Sequence, residues 1–432
     1  MDEYKQVEQS RVHSLVEQDW ERVVDLMPLD LEASARAEKA LQRERKVRSG
    51  ADLLRMVLNY ALGDLSLRLT AAWGTITGVA HMSDVAVLER LRKCRPWLAK
   101  LVAALVKRRV PLTQRPVRLR LMDATVVSRP GSQGTDWRAH LSLNLERFGL
   151  DGIEITDAHG GETFARYAAQ PGDILVGDRI YAHARSLGSV LAADADVVAR
   201  IGWQNLPLEA DGERLDIIRW LKNLPGALSE RNVWLDTPQG RFGLRLVACR
   251  LPQEAADRTR QRLIRVARKK GKTVDERTLF AAGFVILITN LSTEPWNAKQ
   301  VTELYRIRWQ IEVLIKRFKS VMHLDHLRAQ DPELAQVYLL GKMLGALILD
   351  ELTGQVATRY PMWFRSVERP VSPWRLLAML YDGLRNSVRG DVTLERILAV
   401  LPDLERYLRD SPRKRRQQCA VARNLLRSLG AA

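Results

Sequence analysis

Along the first 115 residues the apolar positions recur with helical spacing. Leu53, Leu54, Val57 and Leu58 form one such set, and Val85, Leu88 and Leu91 form another behind Ser83, a residue suited to cap a helix. Between them Gly74 and Gly78 flank a short break, so helices over 67–73 and 83–93 read in one of two ways. They form a helix-turn-helix of the DNA-binding kind, or two helices that pack only on each other. Past Pro111 and Pro116 the period changes to two, as Val117, Leu119 and Leu121 alternate with Arg118 and Arg120 and lead into Asp123. Further strands are predicted over 140–145, 153–156, 174–176 and 197–201, and helices over 161–168 and 182–193. The strand at 174–176 delivers a second carboxylate, Asp178. Strands that first follow one another and then alternate with helices predict a mixed α/β sheet flanked by helices. From 202 to 283 the texture is that of a β-rich insertion, with strand-like runs at 233–235 and 242–246. The aliphatic run Phe284–Thr289 reads as a buried strand returning to the main sheet, and helices follow from Asn297 nearly to the end.

The 432 residues are 46% hydrophobic and 28% charged, which excludes collagen-like, low-complexity and disordered classes. Sixty-eight Lys and Arg against 51 Asp and Glu leave a net charge of +17, and that excess implies an anionic partner, most often nucleic acid. The cations cluster. Arg90, Arg92, Lys93, Arg95, Lys100, Lys107, Arg108 and Arg109 occupy the second helix and its sequel, and a basic tail covers 412–416. Eight more lie between Arg258 and Lys272, where they are expected either to track a DNA backbone or to form a solvated loop. Cys94, Cys249 and Cys419 form no CxxC pair, which excludes a zinc ribbon and argues against a disulfide framework. The acidic, polar first ten residues do not read as a signal peptide. The best membrane candidate, 337–349, falls short of the ~20 residues a span needs and carries Lys342. The expectation is a soluble, cytoplasmic protein.

The most specific feature is the stretch 305–319. At about 100° per residue, Tyr305, Arg308, Glu312, Lys316 and Lys319 share one narrow stripe of a helix. A solvated face with Arg308 paired to Glu312 accounts for the charges. It leaves unexplained why Tyr305 and Trp309 join them. A Glu that holds a divalent metal, with cations and aromatics that seat a nucleic-acid strand, accounts for all of them.

In spacing, Tyr305, Arg308, Glu312 and Lys319 match the YREK signature of bacterial insertion-sequence DD-E transposases, a family the chain resembles over roughly residues 50–350. The run LMDAT at 121–125 resembles the strand that brings the first catalytic Asp, and GDRIY at 177–181 the segment with the second. Ile180 departs from the pattern, since Gly is more usual there. The long gap between Asp178 and Glu312 is similar to that of members with a β-rich insertion. The resemblance implies a ribonuclease H-like fold: a helical DNA-binding region at 1–115, a core in two parts at 116–201 and 284–350, the insertion at 202–283, and helices at 351–432. It implies that Asp123, Asp178 and Glu312 are catalytic and coordinate two Mg²⁺ or Mn²⁺ ions, for cleavage at transposon ends and strand transfer into target DNA. By the same resemblance Tyr305, Arg308 and Lys319 contact the phosphates of double-stranded end DNA, with Lys316 in the same stripe. Trp309 and an aromatic at the end of the insertion, of which Phe284 is nearest, then stack on a flipped base. A homodimer on DNA is implied as well, with Leu394, Ile397, Leu398 and Leu401 as candidate contacts.

Rival assignments exist for several of these residues. Asp157 also ends a predicted strand and competes with Asp178, although Arg179 and Tyr181 favour the latter. His323 and His326 flank Asp325 at a metal-binding spacing, but no third ligand is evident. Trp203 and Trp234 are read as core, and Gly160–Gly161 lacks the rest of a phosphate-binding loop. The alternatives to a transposase are a DNA-binding regulator or inactivated transposase, and a metal-dependent nuclease of the same fold. A protein that only binds DNA gains nothing from three acids aimed at phosphates.

Overall fold

The computed structural model describes residues 18–42, 46–109, 118–129, 131–132, 134–145, 149–327, 329, 331–365, 370–390, 398 and 402. The described residues open with helices α1 (18–25), α2 (Leu31–Ala37), α3 (Gly50–Leu62), α4 (Leu67–Thr77) and α5 (Asp84–Arg109). Short polar side chains start them. Asp30, Ser49 and Ser66 each accept a backbone N–H of the first turn, and Ser83 Oγ accepts from Ala86 N at 3.3 Å. The break expected at 74–78 comes only at its last residue. Helix α4 runs through Gly74 and stops at Gly78, whose φ of 73° is the left-handed value glycine tolerates. Gly74 stays free of a side chain because the turn folds back on it; a Cβ there would stand 2.9 Å from the Ala80 carbonyl oxygen.

Among the described residues ten strands form one sheet: β1 (Arg118–Val127), β2 (Trp137–Asn144), β3 (Gly149–Asp157), β4 (Asp173–Gly177), β5 (Asp196–Arg200), β6 (Glu209–Ala210), β7 (Glu213–Arg214), β8 (Leu228–Thr237), β9 (Gly240–Arg250) and β10 (Phe284–Thr289). Their order is β3-β2-β1-β4-β5-β10-β9-β8-β6-β7. Strands β1 to β3 pair antiparallel, β1, β4 and β5 run parallel, and β10 closes antiparallel on β5. This is the mixed sheet of a ribonuclease H-like fold. Between β4 and β5 lies α6 (Ala184–Leu191); the short helix expected at 161–168 is a single 3₁₀ turn, Phe164–Arg166. The segment 202–283 is not a separate sheet. Its strands β9 and β8 continue the main one beyond β10, joined by α7 (Ile217–Lys222), α8 (Gln253–Lys269) and α9 (Glu276–Ala281).

Helices α10 (Ala298–Ile307), α11 (Trp309–Met322), α12 (Pro332–Arg359), α13 (Pro361–Arg365) and α14 (Pro373–Arg389) complete the described residues. One face of the sheet, with Leu119, Leu121 and Val176, packs against the N- and C-terminal helices. The other face, with Met122, Leu175 and Val197, packs against α6 and α7. Helix α12 is long and apolar enough to cross a membrane, but 78% of its most apolar stretch is buried in the protein. Gly341 lets it approach α3, since a Cβ there would lie 2.6 Å from Ala61 Cβ.

Two findings revise the charge pattern. Arg118 and Arg120 alternate with leucines, yet both are buried. Arg120 Nε lies 3.0 Å from Asp151 Oδ2 and its Nη1 3.3 Å from Asp173 Oδ2, so carboxylates from β3 and the start of β4 carry the cations inside. The basic side chains of α5 largely serve the fold as well. Arg92 pairs with Asp331, Lys100 with Glu38 and Arg108 with Glu351, while Arg90 donates to the Ala40 carbonyl and Arg95 to Gln336.

Candidate active site

Sheet register brings the first two acids together. In the parallel pair β1/β4, Leu121 is opposite Val176, and two residues further on Asp123 stands level with Asp178. Asp123 shares its face of β1 with Leu119 and Leu121, the face on which α11 packs. Glu312 sits in the first turn of α11, where the exposed N–H groups of the helix favour a negative charge.

The helix predicted over 305–319 is interrupted. Helix α10 ends at Ile307, α11 begins at Trp309, and Arg308 forms the joint. There the hydrogen bonds tighten to the i→i+3 pattern, with Arg308 N to Tyr305 O at 3.1 Å and Ile311 N to Arg308 O at 3.2 Å. The break aims Arg308 inward. Its Nη2 donates to Glu312 Oε1, its Nη1 lies 3.7 Å from Asp123 Oδ2, and its guanidinium carbon is 5.7 Å from the Tyr305 ring centre.

Burial pushes the Asp123 carboxyl up from its ordinary 3.8 to about 6. Arg308 and the Ala124 N–H oppose that rise, and the charges of Asp178 and Glu312 add to it. Two carboxylates from distant parts of the chain thus act on Asp123. Among the described residues no group of three His, Cys, Asp or Glu side chains is close enough to hold a metal ion as they stand. The donor chemistry nonetheless fits a hard divalent cation: carboxylate oxygens only, one of them raised chiefly by burial, with the cation Arg308 drawn against two of them.

The remaining predicted residues fall into two groups. Lys316 and Lys319 follow Glu312 on α11 at helical spacing, and Lys316 Nζ lies 4.3 Å above the Trp309 ring, which is 37% exposed. Phe284 does not join them. It is 5% exposed, packed in the second core beside Phe280, with Arg250 across its ring. A continuous buried strand leaves no route for that ring to a flipped base, so the stacking assignment made for it does not hold here. Asp157 is exposed and level with Val127, four residues along from the position opposite Asp123, or about 13 Å. Its Oδ1 accepts from His159 N and Gly160 N, a turn-forming role. His323 caps α11 with φ 50°, and its ring stands edge-on to His326. Trp203 is half-buried under Arg277, whereas Trp234, expected in the core, is 49% exposed beneath Arg241.

Three neighbours escaped the sequence reading. Arg200 ends β5 level with Asp178, because Gly177 pairs with Ala199. Arg179 is held below the usual arginine range by burial and by Arg200, against the pull of Asp178 and Tyr305. Glu162, in the connection between β3 and β4, is raised by burial and then by Asp178 and Asp123. Arg179 was visible beside Asp178 in sequence; Arg200 and Glu162 required the strand register and the path of the connection.

The mixed sheet and its strand order are consistent with the ribonuclease H-like fold of transposases. The family described as the transposase DDE domain matches residues 116–349, and the chain belongs to that family. It is 37% identical over 335 residues to the putative transposase InsL for insertion sequence element IS186A of Escherichia coli (strain K12), covering 75% of this chain and 90% of the relative. Identity is also 37% over 336 residues to the transposase for insertion sequence element IS421 of Escherichia coli, covering 75% and 91%. With the transposase for insertion sequence element IS231F of Bacillus thuringiensis subsp. israelensis it is 23% over 436 residues, covering 90% of each.

Proposed function

We propose that the protein is a DNA transposase that cuts the ends of an insertion element and joins them to target DNA, with Asp123, Asp178 and Glu312 as its catalytic acids. The observation that carries this reading is geometric: the β1/β4 register sets Asp123 level with Asp178, and Arg308 joins Asp123 to Glu312, in a chain of this family. The three carboxylates would hold Mg²⁺ or Mn²⁺. Such ions, when bound, stabilise charge on the phosphate under attack and make a hydroxyl acidic enough to act as nucleophile.

The chain's own residues do the rest. Arg308 keeps Glu312 turned toward Asp123 and adds a positive charge for the phosphate. Tyr305, Lys316 and Lys319 line the same approach, joined by Arg179 and Arg200, and bind the flanking phosphates of double-stranded DNA. The exposed ring of Trp309 is left to stack on an unpaired base. Water breaks the P–O3′ bond at the element end, leaving a 3′-hydroxyl and a 5′-phosphate. The 3′-hydroxyl then attacks a target phosphodiester and displaces its 3′ oxygen, so no covalent enzyme intermediate is needed. Residues 1–115 serve DNA binding in this reading, and 351–432 dimerisation. Of the candidate dimer contacts, Leu394, Ile397 and Leu401 lie outside the described residues, and Leu398 packs against the first core.

A cleavage and joining assay on the terminal sequences that flank the reading frame tests this. Asp123→Asn, Asp178→Asn and Glu312→Gln should each abolish cleavage while end-DNA binding persists, and Asp157→Asn should remain active. Loss of cleavage in the Asp157 variant with retention in the Asp178 variant would reverse the assignment of the second acid. Light scattering of the end-DNA complex should give two protein chains; a monomeric complex that completes strand transfer refutes the dimer.

A further inference from the structure

Six of the eight cations between Arg258 and Lys272 lie on a helix rather than in a loop. Residues 253–269 form α8, one side of which packs on the protein through buried Ala256 and half-buried Leu263 and Ile264. Arg260 belongs to that side: its Nε donates to the Leu279 carbonyl at 3.1 Å and its Nη1 pairs with Asp257 at 2.8 Å. The opposite side is different. Arg258, Arg262, Arg265 and Lys269 recur at i, i+4, i+7 and i+11, which places them in one stripe along the helix. All four are exposed, Arg268 adds to the charge in the last turn, and Lys270 and Lys272 extend it past the C-terminus. No acid occurs from 258 to 272. Among the described residues the stripe has a single ion pair, Arg258 with Glu254 at 3.8 Å, between two highly exposed side chains. By contrast, several basic side chains of α5 are engaged in contacts within the protein.

Complementing the helix dipole explains cations in the last turn, Arg268 and Lys269, but not Arg258, Arg262 and Arg265. Repulsion along an uncompensated stripe weakens an isolated helix, so a polyanion of matching length is the partner that accounts for it. Eleven residues at 1.5 Å rise give a stripe of about 16 Å. One DNA strand advances 3.4 Å per phosphate along the duplex axis and its phosphates stand farther apart along the strand itself, so the stripe spans fewer than five phosphates, in keeping with its four cations.

We propose that α8 is a backbone-tracking contact for duplex DNA, in which Arg258, Arg262, Arg265 and Lys269 lie along the phosphates of one strand and read no bases. The proposal rests on the transposase reading and adds a surface outside the catalytic acids. The duplex that occupies it is either the flank of the element end or the target.

The test uses the full chain carrying Arg258→Gln, Arg262→Gln, Arg265→Gln and Lys269→Gln together, beside a charge-keeping variant with Lys at the three arginine positions. Affinities for a duplex bearing the terminal repeat and for a random duplex of equal length are measured over a salt series, with helicity followed by circular dichroism. The Gln variant should weaken on both duplexes by the same factor. Its slope of log affinity against log salt should fall by about 3 to 4, at about 0.9 per lost phosphate contact, while the Lys variant matches the parent. Random duplex titrated onto a preformed end complex separates the sources: weaker capture there assigns the stripe to target DNA, unchanged capture to the flank. Unchanged affinity and slope overturn the proposal and leave an acidic protein as the partner. A loss confined to the terminal-repeat duplex overturns it in favour of base reading. If the parent protein binds DNA with the expected slope but never cleaves with Mg²⁺, the active-site reading fails while this one stands.

Discussion

Asn in place of Asp123 should make the metal-free protein more stable at neutral pH. The folded protein holds this carboxyl at about 6, against an ordinary value of 3.8 in the unfolded chain, with burial the chief cause and Arg308 already counted against it. Its ionised form is therefore disfavoured by folding. At 1.36 kcal/mol per unit, the penalty is on the order of 3 kcal/mol. The sign follows from linkage. Between the two values the folded state binds the proton more tightly, so the penalty is complete above about pH 6, shrinks as pH falls, and vanishes below 3.8, where both states are protonated. Asn keeps the acceptor that Ala124 N uses at 2.9 Å and carries no charge at any pH. Urea unfolding with a chelator present should show Asp123→Asn ahead of the parent by up to about 3 kcal/mol near pH 7.5, and level with it near pH 4. If Asp123 is a metal ligand as proposed, Mg²⁺ should then raise the stability of the parent and not of the variant. A variant no more stable than the parent at neutral pH, or a gain that ignores pH, would show that Asp123 is not held in a strained ionised state.

Arg308→Gln removes the largest influence that favours ionised Asp123, so a carboxyl-carbon NMR titration of the metal-free protein should find Asp123 above about 6; an unmoved midpoint would separate Arg308 from the acid. Arg120→Met leaves Asp151 and Asp173 buried with fewer charged partners and should cost about 3–5 kcal/mol in urea unfolding, where a loss below about 1 kcal/mol would mean that the pairs are solvated.

Much of the fold was legible because its signals are local. The buried run Phe284–Thr289 is β10 to the residue, Ser83 caps α5 as read, and Asn297 starts α10 with Gln300 in a capping box. What depended on distant partners was not legible. Nothing within Arg118–Leu121 says that Asp151 and Asp173 arrive to neutralise its arginines, so a buried strand read as one with a polar side. The stripe from Tyr305 to Lys319 was drawn on one ideal helix, and the joint at Arg308, which turns that residue toward two acids, has no proline or glycine to announce it. Phe284 was chosen for its place at the end of an insertion, but the pairing of β10 with β5 and β9 on either side decided its surroundings. Arg200 became a neighbour of the acids only through the β4/β5 register.

The continuity of the sheet through 202–283 limits how this chain can be shortened. Strand β10 is hydrogen-bonded on both sides, and its sequence FVILIT holds no charge, proline or glycine that would discourage pairing with a second molecule. Excising the segment would bare that strand as a flat, apolar edge, a template for aggregation rather than a trimmed domain. A change of length would disturb the sheet least at the far rim, where β6 and β7 are two-residue strands and the sheet already ends.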